Sequence, residues 1–271
     1  MKRLPYFVVD AFASRVFQGN PAGVCPLEQW LPDPVLQAIA AENNLAETAF
    51  FVPDGEAYRL RWFTPTREVP LCGHATIAAA FAIFARLRPD QEQISFLTLS
   101  GPLTVRRDGG WFELDLPRYA PAEVEQPPAA LAAGLGTEPT TVLRVEEDPN
   151  YYVVLADEEA ILGVRPRHDV LATLHPYGVA VTAPGRNADF VSRYFAPSYG
   201  IPEDPVTGSI HAALTPYWAA RLGRSSLRAA QLSARGGELR CRLGAGRVQV
   251  AGRAASYLEG TITVPLSQNS P

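Results

Sequence analysis

The sequence predicts an α+β protein made of two related units, each a helix buried among strands. Three observations carry this reading. The stretch Glu68-Val69-Pro70-Leu71-Cys72-Gly73-His74-Ala75-Thr76 is a turn that opens Ile77-Ala78-Ala79-Ala80-Phe81-Ala82-Ile83-Phe84, a run apolar nearly all round, as a fully buried helix is. A second stretch, Glu203-Asp204-Pro205-Val206-Thr207-Gly208-Ser209-Ile210-His211, lines up with the first: Glu68 with Glu203, Pro70 with Pro205, Gly73 with Gly208, Ala78 with Ala213. Upstream, Arg61-Trp62-Phe63-Thr64-Pro65 aligns with Arg193-Tyr194-Phe195-Ala196-Pro197. Matches kept in order and separated by close to half the chain indicate one duplicated unit, not a solenoid of many repeats.

The 271 residues suffice for one large domain or two of about 130 residues each. With 47% hydrophobic and 19% charged residues the chain is globular, not disordered. A net charge of −4 without a Lys/Arg block argues against a nucleic-acid surface. Asp10 and Arg15 interrupt the apolar N-terminal stretch, and no run has the length of a membrane span, so a cytoplasmic protein without a membrane partner is expected. Cys25, Cys72 and Cys241 are odd in number and far apart, a pattern of neither a disulfide framework nor a zinc site.

In chain order, residues 6–12 read as a buried strand, rich in aromatic and β-branched side chains. Gln18 to Gly23 forms a turn, and Asp33-Pro34 caps a helix that ends near Asn43-Asn44. Residues 45–52 form a strand whose alternation puts Glu47, Ala49 and Phe51 on one face, so Glu47 faces partly apolar surroundings. A strand over 58–63 leads into the first turn, and the helix after His74 runs to about Leu87. Residues 94–99, 103–107 and 112–116 form a meander, turning at Asp108-Gly109-Gly110. Four prolines within residues 117–128 place the domain linker there. The first domain is expected over 1–118, with a tail from about 260 to 271 returning to it, and the second over 119–259. The second unit has strands over 141–145, 151–155, 178–182 and 190–195, a helix from about 169 to 174, and a helix through Trp218 to a Gly223 cap. Strands over 227–233, 238–242 and 247–250 follow, and 267–271 are expected to fray.

Two helix N-termini, each following a Pro-x-x-Gly turn, suggest a cleft between the units that takes a small anion. The dipole contribution is roughly 0.3–1 kcal/mol per terminus. The paired positions differ chemically: Cys72 corresponds to Thr207, His74 to Ser209, and Glu47 to about Gly178. Racemisation needs a competent acid or base on each side, and a threonine hydroxyl is neither. One carboxyl group can instead carry a proton between two carbons on one face, so the residues favour a shift over a racemisation.

These residues lie in segments that resemble the PhzF-like phenazine-biosynthesis isomerase family, whose fold is similar to diaminopimelate epimerase. The resemblance covers most of the chain and is clearest in DAFASRVFQGNPAGV from Asp10, NLAETAF from Asn44, PLCGHAT from Pro70 and EDPVTGS from Glu203. It implies two pseudo-symmetric domains, each a β-barrel-like sheet around a central helix, with the active site between them. It implies that Glu47 is the acid/base, that His74 and Asp204 assist or orient it, and that Ser209 binds substrate. It also implies a homodimer. The related epimerases carry a cysteine before the glycine of both turns; this chain has Cys72 at one and Thr207 at the other.

The expected function is a cofactor-independent isomerase moving a proton within a small anionic carboxylate. Glu47, His74 and Asp204 are its catalytic residues, with Gly73, Gly208, Ser209, Asn20 and Cys72 about the substrate. No dinucleotide or phosphate-binding glycine motif and no metal-ligand pair is apparent, so neither cofactor nor metal is expected. Glu47 is expected to have a raised pKa from its apolar strand, and Cys72 chiefly to pack. The alternatives are an epimerase or racemase using Glu47 and Cys72 as unlike bases, and a non-catalytic small-ligand binding protein. Phenazine precursors are one possible substrate class, which fold and base do not dictate.

Overall fold

The computed structural model describes residues 1–265. Its elements begin β1 (Lys2–Ala11), β2 (Asn20–Pro26), α1 (Asp33–Asn43), β3 (Glu47–Asp54), β4 (Ala57–Phe63), β5 (Glu68–Val69), α2 (Gly73–Ala82), β6 (Gln93–Thr98), β7 (Gly101–Asp108) and β8 (Trp111–Pro117). They continue with β9 (Ala122–Glu123), α3 (Ala129–Leu135), β10 (Thr141–Arg144), β11 (Asn150–Val154), α4 (Glu158–Gly163), α5 (His168–Ala172), β12 (Gly178–Pro184), β13 (Phe190–Ala196) and β14 (Ile201–Asp204). Helix α6 (His211–Leu222), β15 (Ser226–Gln231), β16 (Gly237–Leu243), β17 (Arg247–Gly252) and β18 (Ala254–Val264) complete the series. Mixed pairing with helices packed on the strands makes this an α+β fold.

The chain divides into two compact units: Met1–Asp115 with the described residues from Ala251 onward, and Leu116–Val250. In the first, β1 runs antiparallel to β2 and β18, β2 parallel to β3, and β3 antiparallel to β4. Strand β4 is antiparallel to β5 and parallel to β6, which is antiparallel to β7. In the second, β10 to β16 repeat this succession: antiparallel, parallel, antiparallel, antiparallel, parallel, antiparallel. Strand pairing thus extends the sequence repeat from one turn to a whole topology.

Each unit buries one helix. Every residue of α2 except Phe81 is buried, against β1, β2, β3, β7 and β18. Its last turn widens into a π-helical Ile83–Leu87, closed by Arg88 N–H donating to Ile83 O. Helix α6 packs on β15 and β16, with Trp218 stacked on Phe190 at 5.8 Å. Both turns are held by the same device. Arg61 donates two bonds of 2.7 Å to Glu68 across β4 and β5, and Arg193 donates 2.7 and 3.0 Å bonds to Glu203 across β13 and β14. Such two-point guanidinium–carboxylate pairs fix orientation as well as distance.

Several expectations are displaced. The unit boundaries fall inside β8 and β17, so 116–118 belong to the second unit and 251–259 to the first. Gly260 to Val264 continue β18 along β1, whereas 266–271, including the expected frayed end, lie outside the described residues. The proline-rich 117–128 segment is no free linker, because Ala122–Glu123 pairs with β10. Asp33 is the first residue of α1, not its cap, and its carboxylate accepts from Arg61 at 2.8 Å. Strand β3 starts at Glu47, after Asn44 closes α1 in a left-handed conformation at φ 49°. The short helices α3 and α4 were not expected, and α5 begins at His168. Gly109 and Gly110, at φ 50° and 85°, make the two-residue hairpin between β7 and β8.

Candidate active site

Three element starts meet in the first unit. Asn20 opens β2, Glu47 opens β3 beside Ala22, and Cys72 precedes α2 in an extended conformation. Helix α2 packs on both strands, which carries His74, its second residue, toward them. The Thr76 hydroxyl and amide both donate to Cys72 O, at 2.6 and 3.1 Å, and pin the turn that aims the ring. His74 Nε2 lies 3.1 Å from Glu47 Oε2, with the two side chains 6% and 11% exposed. The contact is one of charge, because the atoms are not aligned as a hydrogen bond. The other ring nitrogen, Nδ1, is 3.2 Å from the Asn20 amide and 3.5 Å from Cys72 Sγ.

Burial alone would raise the Glu47 carboxyl, as its apolar strand suggested. The charge of the adjacent His74 ring, with a further contribution from Cys72, more than offsets burial, and Glu47 is held below the usual carboxylate range. That reverses the expected direction. Burial likewise disfavours a His74 cation, but Cys72 and Glu47 beside it raise the ring well above the ordinary histidine value. Burial first, and the Glu47 charge second, push the Cys72 thiol up to about 11. The directions together favour a Glu47 carboxylate beside a positively charged ring.

The remaining expected site residues, Asp204, Gly208 and Ser209, belong to the second unit. The buried Asp204 accepts from Thr207 Oγ1 at 2.5 Å. Gln231, which nothing in the sequence singled out, donates to Asp204 O and Thr207 Oγ1 and accepts the Thr207 amide at 2.9 Å. Gly208 is buried and Ser209 half-buried in a tight turn, so α6 starts only at His211; the Thr207 amide ahead of that turn is taken by Gln231. At the position matching Glu47, Gly178 pairs with Asn150 as Glu47 pairs with Ala22. A Cβ on Gly178 would lie 2.2 Å from the Tyr194 hydroxyl, so that site has no room for a carboxylate.

Chain spacing gave no metal-ligand pair, yet Glu47, Cys72 and His74 each offer one donor atom, all within 4.8 Å of one another. The fold gathers donors that are remote in sequence. Among the described residues no helix is long and apolar enough to cross a membrane.

The family model for phenazine biosynthesis-like proteins (PhzC-PhzF) matches residues 9–260. An uncharacterized isomerase of Pseudomonas aeruginosa is 50% identical over 260 residues, which is 96% of this chain and 98% of that protein. The crystal structure of a PhzF-family protein of Enterococcus faecalis superposes with a TM-score of 0.93 at 44% identity, covering 97% of this chain and 100% of that one. A probable proline racemase of Agrobacterium radiobacter has a TM-score of 0.64 at 12% identity, covering 99% and 94%, a likeness of fold alone.

Proposed function

Because the chain belongs to the phenazine biosynthesis-like PhzC-PhzF family and is an isomerase, we propose that it works without a cofactor and that Glu47 moves a proton between two carbons of a small carboxylate. The observation that carries this reading is the buried Glu47–His74 pair, 3.1 Å apart. Glu47 begins as the base. It takes a proton from a C–H bond acidified by an adjacent unsaturated group, and the electron pair left behind moves the double bond. His74, already protonated, loses its carboxylate counter-charge at that moment and turns its charge to the developing substrate anion. Glu47, now neutral, returns the proton to a second carbon, and the starting charges are restored. General acid–base transfer of this kind contributes about 10²–10⁴-fold.

Asn20 supports the ring at Nδ1, its amide turned so that the oxygen accepts from the protonated ring; Gly73 and Cys72 line the first helix start, Asp204 assists as the group that orients the acid/base, and Gly208 and Ser209 bind substrate. A homodimer and a cytoplasmic location remain part of the proposal. The two-base alternative is weaker, because a Cys72 thiol raised to about 11 is a poor base at neutral pH and Glu47 has Gly178 as its counterpart.

The test is proton NMR in D2O with small carboxylates, dihydro-hydroxyanthranilate and diaminopimelate among them. Movement of a double bond, with the carbon that gains a proton only partly deuterated, supports the shift. Exchange at a stereocentre with inversion would replace it with an epimerase.

A further inference from the structure

The repeat separates what the second turn needs for its fold from what it adds. With Arg61 aligned to Arg193, the register of Tyr58 with Phe96 and of Phe190 with Ala229 makes Thr98 the counterpart of Gln231 and Ser100 that of Ser233. The two serines behave alike: Ser100 Oγ donates to Pro70 O and Ser233 Oγ to Pro205 O, each at 2.8 Å. That clasp belongs to the fold. The neighbouring positions diverge. The first unit has Val69, Cys72 and Thr98, and the Thr98 hydroxyl turns to Gly101 O at 2.6 Å. The second has Asp204, Thr207 and Gln231, bonded to one another.

Donor and acceptor types fix the direction of every bond in this group. The Thr207 amide can only donate, so the Gln231 atom 2.9 Å from it is the oxygen. The Gln231 nitrogen then faces Asp204 O at 2.8 Å and Thr207 Oγ1 at 3.2 Å. A hydroxyl that accepts from Gln231 gives its own hydrogen to Asp204 Oδ2, 2.5 Å away. Gln231 has no solvent exposure and is the last residue of β15, held there between β13 and β16.

We propose that Thr207 and Gln231 are positioning residues of the isomerase: Gln231 sets the Thr207 hydroxyl, and the hydroxyl fixes the direction of the Asp204 carboxylate. This rests on the reading of Asp204 as the group that orients the acid/base. The counterpart of Cys72 is then no second base. Its hydroxyl is too weak an acid to carry the transferred proton, yet it is a strong donor to a carboxylate. Both residues act through Asp204. Valine at 207 keeps the outline of threonine and leaves the Gln231 bonds to the residue 207 amide and Asp204 O, and the Ser233 bond to Pro205 O, in place. The turn keeps its backbone while the carboxylate loses its hydroxyl donor. Misplacing a group in a site by about 1 Å costs up to about 10²-fold in rate.

The test has two readouts, applied to the wild type, Thr207→Val, Thr207→Ser and Gln231→Met. Proton NMR of the Thr207 hydroxyl, assigned by its absence in Thr207→Val, needs no substrate. A hydroxyl held on both sides should exchange slowly with water, and Gln231→Met should speed that exchange by more than about tenfold. Exchange at the free-solvent rate in the wild type, or unaltered by Gln231→Met, would overturn the proposal. Turnover is read on dihydro-hydroxyanthranilate in D2O. Thr207→Val should lower kcat about 10- to 100-fold with KM changed less than about threefold, and Thr207→Ser should restore turnover. A smaller folded fraction by circular dichroism with kcat per folded molecule unchanged would mark a merely structural role and overturn the proposal. Asp204→Asn separates the two readings. Slow turnover there beside undiminished turnover in Thr207→Val sinks the positioning role alone, whereas undiminished turnover in Asp204→Asn removes the role read for Asp204 and this proposal with it. If Thr207→Val does not fold, Thr207→Ala takes its place. A wild type that leaves this compound unchanged counts against the isomerase reading for it, and the hydroxyl exchange still decides whether Gln231 and Thr207 hold Asp204.

Discussion

His211 gives the second unit a calculable sensitivity to acid. The side chain has no solvent exposure, its Nδ1–H donates to Thr207 O at 2.9 Å, and its ring lies 5.8 Å from that of Phe190. Burial, only partly countered by hydrogen bonds to Thr207 and Gly208, lowers its pKa from 6.5 to about 4. The group is therefore neutral in the fold and protonates more readily when unfolded. Its contribution is complete above pH 6.5, diminishes as pH falls from there, and is gone once pH falls through about 4. At about 1.4 kcal/mol per pH unit, the unfolded state gains about 2 kcal/mol by pH 5 and about 3 by pH 4. His211→Asn keeps a donor for Thr207 O and removes the titration. Hydrogen exchange of the α6 segment across a urea series, at pH 7, 6, 5 and 4, measures local stability in both proteins. The variant should be less stable at pH 7, through lost packing, and yet lose about 3 kcal/mol less on going to pH 4. Carboxylates that titrate in both proteins cancel in the comparison. Parallel pH profiles would refute the reasoning.

Three further perturbations follow from the same geometry. Arg193→Met removes both bonds to Glu203 and those to Ile161 O and Val164 O; it should cost about 3 kcal/mol in urea unfolding of the second unit. Gly178→Ala forces a methyl against the Tyr194 hydroxyl and Asn150 Oδ1 at 2.2 and 2.5 Å; a loss of about 1–3 kcal/mol is expected, partly recovered by Tyr194→Phe. Nitrogen-15 NMR of His74 should show both ring nitrogens protonated straight through pH 6.5, because Glu47 and Cys72 hold its pKa up. In Glu47→Gln the ring should become neutral at lower pH, and the wild-type activity profile should stay flat across the range where an ordinary histidine titrates.

The repeated turn was legible because its proline, glycine and glutamate recur in order, and the two Arg–Glu clamps show what those glutamates do. Glu47 and His74 were legible as types at element starts. Their contact was not, since 26 residues separating them say nothing about where α2 docks on β3. That missing contact is why the direction of the Glu47 shift was reversed: alternation along a strand reports burial, not the cation beside the carboxylate. Asn20 had no chemical argument until its amide was found 3.2 Å from the ring. Helices α3 and α4 are too short to show a periodicity, and the paired Ala122–Glu123 hides within prolines that read as a linker. Gln231 was invisible because its partners lie one turn and one helix earlier in the chain.

The most direct test of the central claim uses a compound that the enzyme isomerises, protiated at the carbon that loses its proton. Turnover in D2O is followed at the carbon that gains one. A single carboxyl group carrying the proton predicts that part of the protium arrives at the new carbon, and that Glu47→Gln abolishes turnover while still binding the compound. Complete deuteration from solvent in the wild type, or undiminished turnover in Glu47→Gln, would contradict it.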